Sequence, residues 1–291
     1  MKNTSGMSKR NSLLLFVLFL IFSSIAGKAQ PKKAPIFPTD DPYFKNWGWY
    51  AGLGTNFTIP TSGKQEQVFV SLPDTSLNYL FSPKGKMGLM LEGGAFYLTD
   101  YYLLSYVDAG LRVNWFNGKE NFTAYRIDQN LGDTLSVQDG KRSFSFMNVS
   151  LRLDANNCIQ VSKYGFIQNT LGLNVDYSFY KKFELDPPDY PFPFDPMSDA
   201  TYNEFQFQIH YKIAYGFRLD LMHYMIIGLD VPIFTITPWT NGSPTIDTYQ
   251  SSYLPLTLSL RVLFLRKSNR PDCKKPPPLD MNKKRKEAKL F

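Results

Sequence analysis

The chain has 291 residues, with 24 Phe and 18 Tyr, a charged fraction of 20% and a negative mean hydropathy. That profile excludes a disordered chain, and it excludes a bundle of membrane helices because Leu13 to Ile25 is the only apolar stretch that approaches a bilayer span. The formal charge of +7 belongs to the ends: residues 1–29 hold four Lys/Arg and no acid, residues 266–291 hold ten against three acids, and the stretch between them has 18 basic and 22 acidic residues.

Lys2, Lys9 and Arg10 precede the apolar stretch, and Gly27, Lys28 and Ala29 supply the small residues a signal peptidase accepts before Gln30. Residues 1–29 therefore read as a signal peptide. Its roughly 13 apolar residues fall short of the ~20 that an anchoring helix needs. Residues 30–45 follow as a periplasmic segment.

From Trp47 onward, side chains alternate with period two, the mark of strands with one apolar and one polar face. Trp47, Trp49, Ala51, Leu53 and Phe57 share one face of the first strand, against Gly48, Tyr50, Gly52, Gly54 and Asn56. Further strands are predicted at Lys86 to Leu98, Tyr102 to Phe116, Ser143 to Leu153, Lys163 to Tyr180, Tyr202 to Leu219, Tyr224 to Thr235 and Tyr253 to Leu265. Thr99 to Tyr101, Asp154 to Cys158 and Asp220 to His223 read as short turns, and the other four gaps as long loops. Eight strands meandering between short turns on one side and long loops on the other predict an all-β, eight-stranded antiparallel up-and-down transmembrane β-barrel over residues 46–265, with both termini periplasmic.

Volume decides which face looks outward. An eight-stranded barrel is only just wide enough to be filled by side chains, so the large apolar residues, such as Phe205, Phe207, Ile209, Tyr211, Ile213, Tyr215, Phe217 and Leu219, must face lipid. The other face mixes Gly88, Gly94, Gly110, Gly172, Gly216 and Gly228 with Glu92, Asp108, Arg112, Arg152, Asp176, His210, Lys212, Arg218, Asp230 and Arg261. Unpaired charge in a lumen is costly, so opposite charges on neighbouring strands should meet, Glu92 with Arg112 first among them. Trp47, Trp49, Tyr97, Tyr101, Trp115 and Tyr164 near segment ends suit aromatic girdles. Pro232 and Pro255 remove ladder donors and call for a bulge near the rim.

Catalysis is not expected. His210 points into the barrel and His223 falls in a turn, so neither has a nucleophile at the loop rim. No Cys/His cluster suggests a metal, no Gly-rich turn suggests a nucleotide, and no cofactor is expected. Cys158, in a predicted turn, and Cys273, in the tail, share the oxidising side; a bridge between them and two unrelated thiols are both open. The loop Lys181 to Ala200 is stiffened by Pro187, Pro188, Pro191, Pro193 and Pro196 and exposes acidic and aromatic side chains. Residues 266–291 form a basic tail that cannot build a core, suited to anionic headgroups or an acidic periplasmic protein; in that compartment nucleic acid is not a partner.

The ending Lys28-Ala29-Gln30, the first strand Gly48-Trp49-Tyr50-Ala51-Gly52-Leu53-Gly54 and the closing strand ending Arg261-Val262-Leu263-Phe264 resemble the small outer-membrane β-barrel proteins of Bacteroidetes, including the PorT-like group associated with type IX protein secretion. The resemblance spans roughly residues 45–265 and carries no catalytic residues. It implies the cell outer membrane, a lipid-embedded and monomeric barrel, and a structural or adaptor role accessory to secretion. A narrow pore and a lipid-modifying enzyme are the other readings. The tail departs from the pattern, because such chains usually end close to the last strand's aromatic residue.

Overall fold

A computed structural model describes residues 36–37, 44–61, 63–71, 75–101, 103–128, 134–186, 204–236, 245–248 and 251–268. The expected signal peptide over residues 1–29, Cys273, the rest of residues 266–291 and most of the proline-rich loop lie outside the described residues.

The eight expected strands are present, and most run longer than their apolar alternation. They are β1 (Phe44–Pro60), β4 (Met87–Tyr101), β5 (Leu104–Asp128), β6 (Thr134–Gln160), β7 (Gly165–Asp186), β8 (Phe205–Arg218), β9 (His223–Ile236) and β11 (Ser251–Lys267). Every consecutive pair in that series is antiparallel, and β1 pairs back onto β11, from Trp49 with Phe264 to Pro60 with Tyr253. The circuit is closed and has no free edge. The turns after β4, β6 and β8 define one end of the barrel, the turn end; the remaining connections define the loop end.

Three short strands were not expected. The first long loop contains a hairpin, β2 (Gln65–Ser71) and β3 (Thr75–Gly85), and β3 pairs with β5 from Gly118 to Asp128. β10 (Ile246–Thr248) pairs with the start of β11. β5 and β6 therefore rise together well beyond the other strands, and Lys181 to Asp186, read from sequence as loop, continue β7 against β6 as far as Lys141.

A second correction concerns Asp154 to Cys158, read as a turn because Asp and Asn dominate it. These residues are strand, paired with Gln168 to Gly172, and the chain reverses only after Gln160. Asn156 is fully buried and occupied by side-chain hydrogen bonds, which removes it from the turn chemistry its type favours.

Both prolines sit where a ladder can spare a donor. β9 carries one extra residue between Phe234, opposite Ile209, and Pro232, opposite His210, which makes a bulge. The β9–β11 ladder runs from His223 and Phe264 to Asp230 and Thr257, so Pro255 lies beyond its end.

Facing follows the expected alternation. Leu53, Leu89, Leu91, Leu111, Leu151, Leu153, Leu171, Leu173 and Phe207 are exposed on the outside, whereas the intervening residues are buried in the lumen. Along β5 and the residue before it the belt runs from Leu103 to Trp115, about 40 Å of strand or roughly 28 Å of height at a ~45° tilt, which matches the hydrocarbon thickness of a bilayer. Trp49, Tyr97, Tyr101, Trp115 and Tyr164 are exposed near its limits, and Trp47 stacks under Arg266 at 4.4 Å. Beyond Trp115 the outward series on β5 turns polar, with Asn117, Lys119, Asn121 and Thr123.

Candidate functional site

The lumen is layered. At the turn end Tyr50, Phe96, Leu98, Tyr106, Phe166, Tyr224, Ile226, Leu263 and Leu265 form an apolar cluster. Phe37, from the segment before β1, enters this cluster with its ring 4.9 Å from Tyr224, 5.6 Å from Tyr106 and 5.8 Å from Phe166. The Tyr224 hydroxyl donates to the Ile36 carbonyl at 3.1 Å. Sequence reasoning passed over this pair; the apolar dipeptide Ile36-Phe37 between Pro35 and Pro38 was the available signal.

Glycine makes the narrow lumen fillable. Gly48 lies opposite Phe96 and Gly216 opposite Phe166, and at the loop end Gly118 faces Phe144 and Gly140 faces Phe122. In each pair the ring lies where a Cβ would have to go, so the aromatic covers the bare backbone of its cross-strand neighbour.

Above the turn-end cluster lies a lattice of ion pairs. Arg261 donates from Nε to Glu92 Oε1 at 2.8 Å, from Nη2 to Glu92 Oε2 at 3.1 Å and from Nη1 to Asp108 Oδ2 at 3.0 Å, and it approaches Asp154 at 3.7 Å. Its guanidinium stacks on Tyr50 at 4.1 Å. Arg112 reaches Glu92 at 2.9 Å and Asp230 at 2.8 Å. Arg152 reaches Asp230 at 2.7 Å and Asp154 at 3.2 Å. His210 Nε2 lies between the Arg152 guanidinium and Asp154, 3.0 Å from the carboxylate. Asn156 then donates to Asp108 at 2.8 Å and links the lattice through Gln168 to the Tyr106 hydroxyl.

Glu92 and Arg112 are register partners on β4 and β5, as expected. The contacts of Arg112 with Asp230, and of Arg261 with Asp108 and Asp154, cross the barrel and could not be read from strand neighbours. Arg218 is not in the lattice: it lies at the turn-end mouth, half-buried, and donates to the Asp220 carbonyl at 3.0 Å. Asp176 and Lys212 are in the lumen and buried, but neither makes an ion pair among the described residues. His223 is in the last turn, 2.6 Å from Asp220. Among the described residues Cys158 has no disulfide partner, and its side chain packs against the turn-end cluster; Cys273 lies outside them, so the bridge stays open.

Toward the loop end the lumen becomes neutral and polar. The Thr257 hydroxyl donates to Asn56 at 2.7 Å and the Ser178 hydroxyl to Asn148 at 2.9 Å. A cavity of about 30 Å3 opens here, lined among others by Arg112, Asn174, Asp176, Gln206, His210 and Asp230. Phe116, Phe144, Phe146, Ile246 and Tyr253 form a second apolar cluster, of which Phe116 and Ile246 line the cavity. Higher still, in the part of β5 and β6 that stands beyond the belt, Tyr79, Phe81, Phe122 and Ala124 form a separate core. Arg142 stacks over Phe81 and Phe122 and pairs with the buried Glu120, to which the Ser251 hydroxyl also donates. Burial pushes the Glu120 carboxyl above its ordinary value, against the opposing pull of Arg142.

Among the described residues, no group of three or more His, Cys, Asp or Glu could hold a metal ion. The arrangement can exclude water and solutes from the lumen and hold eight strands in one register. Those are mechanical tasks.

No family model matches the chain, and no curated protein does. Solved structures that resemble it include the outer membrane protein OprG from Pseudomonas aeruginosa, 11% identical over 77% of this chain and 94% of that one, with a TM-score of 0.33. Ail, the attachment invasion locus protein of Yersinia pestis, is 8% identical over 76% of this chain and all of that one, with a TM-score of 0.26. An outer membrane channel from Pseudomonas putida F1 is 9% identical over 82% of this chain and all of that one, with a TM-score of 0.24. What this barrel does must be read from its own side chains. By fold the chain is an antiparallel β-barrel, apolar outside and polar within, of the outer-membrane type.

Proposed function

We propose that the chain is a monomeric, non-enzymatic outer-membrane barrel with a structural or adaptor role, its termini and short turns in the periplasm and its raised strands outside the cell. The observation that carries this reading is the filled lumen. Arg112, Arg152, Lys212 and Arg261 are buried in it, and aromatic clusters occupy it toward both ends. A conduit of this width would have to displace charges whose separation costs several kcal/mol each, which favours an adaptor over a pore. The two surfaces available for partners are the raised sheet of β2, β3, β5 and β6 and the basic tail. The tail's Lys and Arg suit anionic headgroups or an acidic periplasmic protein, and the resemblance to PorT-like proteins directs that search toward type IX secretion.

Two measurements test the proposal. The full chain reconstituted in planar bilayers should give no steady single-channel current; sustained unitary conductance would replace the adaptor with a pore. Crosslinking and pull-down from intact envelopes should recover a partner with the full chain that is missing when residues 266–291 are deleted. Identical recovered sets would remove the tail from the mechanism.

A further inference from the structure

One sector of the barrel is basic just above the belt. Lys84 on β3 and Lys119 on β5 are direct cross-strand partners, and Lys119 alternates with the buried Gly118 and Glu120, which turns this pair outward. Lys86, two residues beyond Lys84, is exposed between β3 and β4. None of these three lysines makes an ion pair among the described residues. Lys182 on β7 does, with Glu184 at 2.5 Å. That carboxyl is held below its ordinary value chiefly by Lys182 and to a lesser degree by Lys86, so the Lys86 ammonium serves the same face. Four cations against one anion leave this face a surplus of three positive charges. One row higher the charges cancel, because Lys141 and Asp186 are cross-strand partners, and above them Asp139 accepts from the Thr123 hydroxyl at 2.7 Å.

The opposite wall is different: the described upper ends of β9, β10 and β11 carry one charged residue, Asp247. A surplus confined to one sector, with like charges directly opposite each other at its centre, destabilises the bare sheet. Its height is specific too. Lys119 lies four residues beyond Trp115, about 13 Å of strand or roughly 9 Å of height at a ~45° tilt. A headgroup layer extends ~5–8 Å beyond the hydrocarbon, within reach of a lysine stem that bends back toward the membrane. Asn117, Ser143 and Ser145 lie among the lysines and offer hydrogen bonds to sugar or phosphate oxygens. Directly below, Met87, Leu89 and Leu91 on β4 and Leu111 and Val113 on β5 are exposed. The two levels match the two halves of one amphiphile, an anionic head above acyl chains.

We propose that the outward face carrying Lys84, Lys86, Lys119 and Lys182 is a docking site for a phosphorylated glycolipid of the outer leaflet, with its phosphates on the lysines and its acyl chains along Met87, Leu89 and Leu91. The assignment to that leaflet rests on the loop end facing outside the cell, as proposed above. Lysine meets phosphate as a point charge on a flexible stem, without the fixed fork of arginine, and so follows a headgroup that moves. A bound phosphate removes the repulsion between Lys84 and Lys119 and seats the base of the raised sheet on the membrane.

The test titrates the purified full chain, in neutral detergent, with diphosphorylated lipid A and counts bound lipid by native mass spectrometry. Wild type should bind saturably. Lys84→Gln with Lys119→Gln should bind about thirtyfold more weakly, at roughly fivefold per lysine, yet unfold without lipid at the same temperature as wild type or higher, because a like-charged pair is gone. Lys45→Gln with Lys163→Gln, at the turn end, should bind as wild type does. Undiminished binding by the Lys84 and Lys119 variant would overturn the site. Equal binding of dephosphorylated lipid A would overturn the role of phosphate, and equal binding of phosphatidylglycerol would overturn the glycolipid. Orientation is read separately, with a membrane-impermeant amine reagent on intact cells: Lys141, exposed one row above the site, should be modified and Lys163 spared. Modification of Lys163 in place of Lys141 would overturn the outward orientation, and with it the outer-leaflet ligand, whatever the binding in micelles.

Discussion

The same two strands, β5 and β6, build two regions of opposite polarity. From Val107 to Trp115, the outward residues of β5 are Val, Ala, Leu and Trp and the inward ones include Asp108, Arg112 and Asn114. Beyond it the outward residues are Asn117, Lys119, Asn121 and Thr123, and the inward ones are Phe116, Gly118, Glu120, Phe122 and Ala124, with Glu120 paired to Arg142. Alternation never slips a phase. What changes is the solvent: where hydrocarbon wets the outside, the inside must satisfy polar groups with one another, and where water wets the outside, the inside is an ordinary protein core. The point of inversion fixes the upper membrane boundary independently of any girdle.

The comparison can be broken at either region. The largest effect is expected inside the belt. Arg261→Ala leaves Glu92 and Asp108 buried without their shared partner and should destabilise the barrel by about 3–5 kcal/mol in urea titrations of the detergent-folded protein. Phe122→Ala removes a central ring of the raised core at a local cost of about 3–5 kcal/mol at most. Limited proteolysis should then cut within β2 and β3 while the barrel below keeps its mobility on gels. Loss of both regions together would show that they fold as one unit.

Outward substitutions sharpen the boundary. Leu91→Arg, in the belt, should cost about 2–4 kcal/mol in lipid, whereas Asn121→Arg, six residues beyond Trp115, should change stability by less than about 0.5 kcal/mol. Equal costs would place the boundary elsewhere.

The smallest effects are those of pH. The Glu120 carboxyl, raised by burial, favours the folded raised sheet most when protonated. That contribution is complete below the ordinary carboxylate range and is lost as pH rises through the elevated folded value. Asp220 is the opposite case: the hydrogen bond from His223 lowers its carboxyl, so its contribution is present at neutral pH and is lost as pH falls through the lowered value. Hydrogen exchange at about pH 2 against pH 7 should therefore show the turn at Asp220 loosening on acidification while the strands around Glu120 do not. Glu120→Gln should abolish the pH slope of the raised sheet, and a slope that survives would assign it to another group.

Most of the barrel was legible because alternation is local. Leu254 to Phe264 outward and Thr257, Ser259 and Arg261 inward are visible in the sequence and hold in the structure. The raised sheet was not legible, because in Lys119-Glu120-Asn121-Phe122-Thr123-Ala124 both faces carry polar residues and the period-two signal fades. The lattice was half legible. Glu92 with Arg112 follows from adjacent strands, but Arg112 with Asp230 depends on closure, which brings β9 opposite β5 only after the circuit is complete. Asp154 to Asn156 misled because tertiary hydrogen bonds outweighed the turn preference of Asp and Asn.

Arg261 lies on β11, yet the carboxylates it serves come from β4, β5 and β6. A chain threaded into a bilayer from its first strand would carry those three anions with only part of their compensation until the final hairpin arrived. Insertion of the last strand is thus favoured electrostatically as well as by edge closure, and a half-built sheet is penalised at every earlier stage. Biogenesis of this protein should consequently be steeply all-or-none, with truncated or stalled chains rejected from the membrane rather than lingering as open sheets.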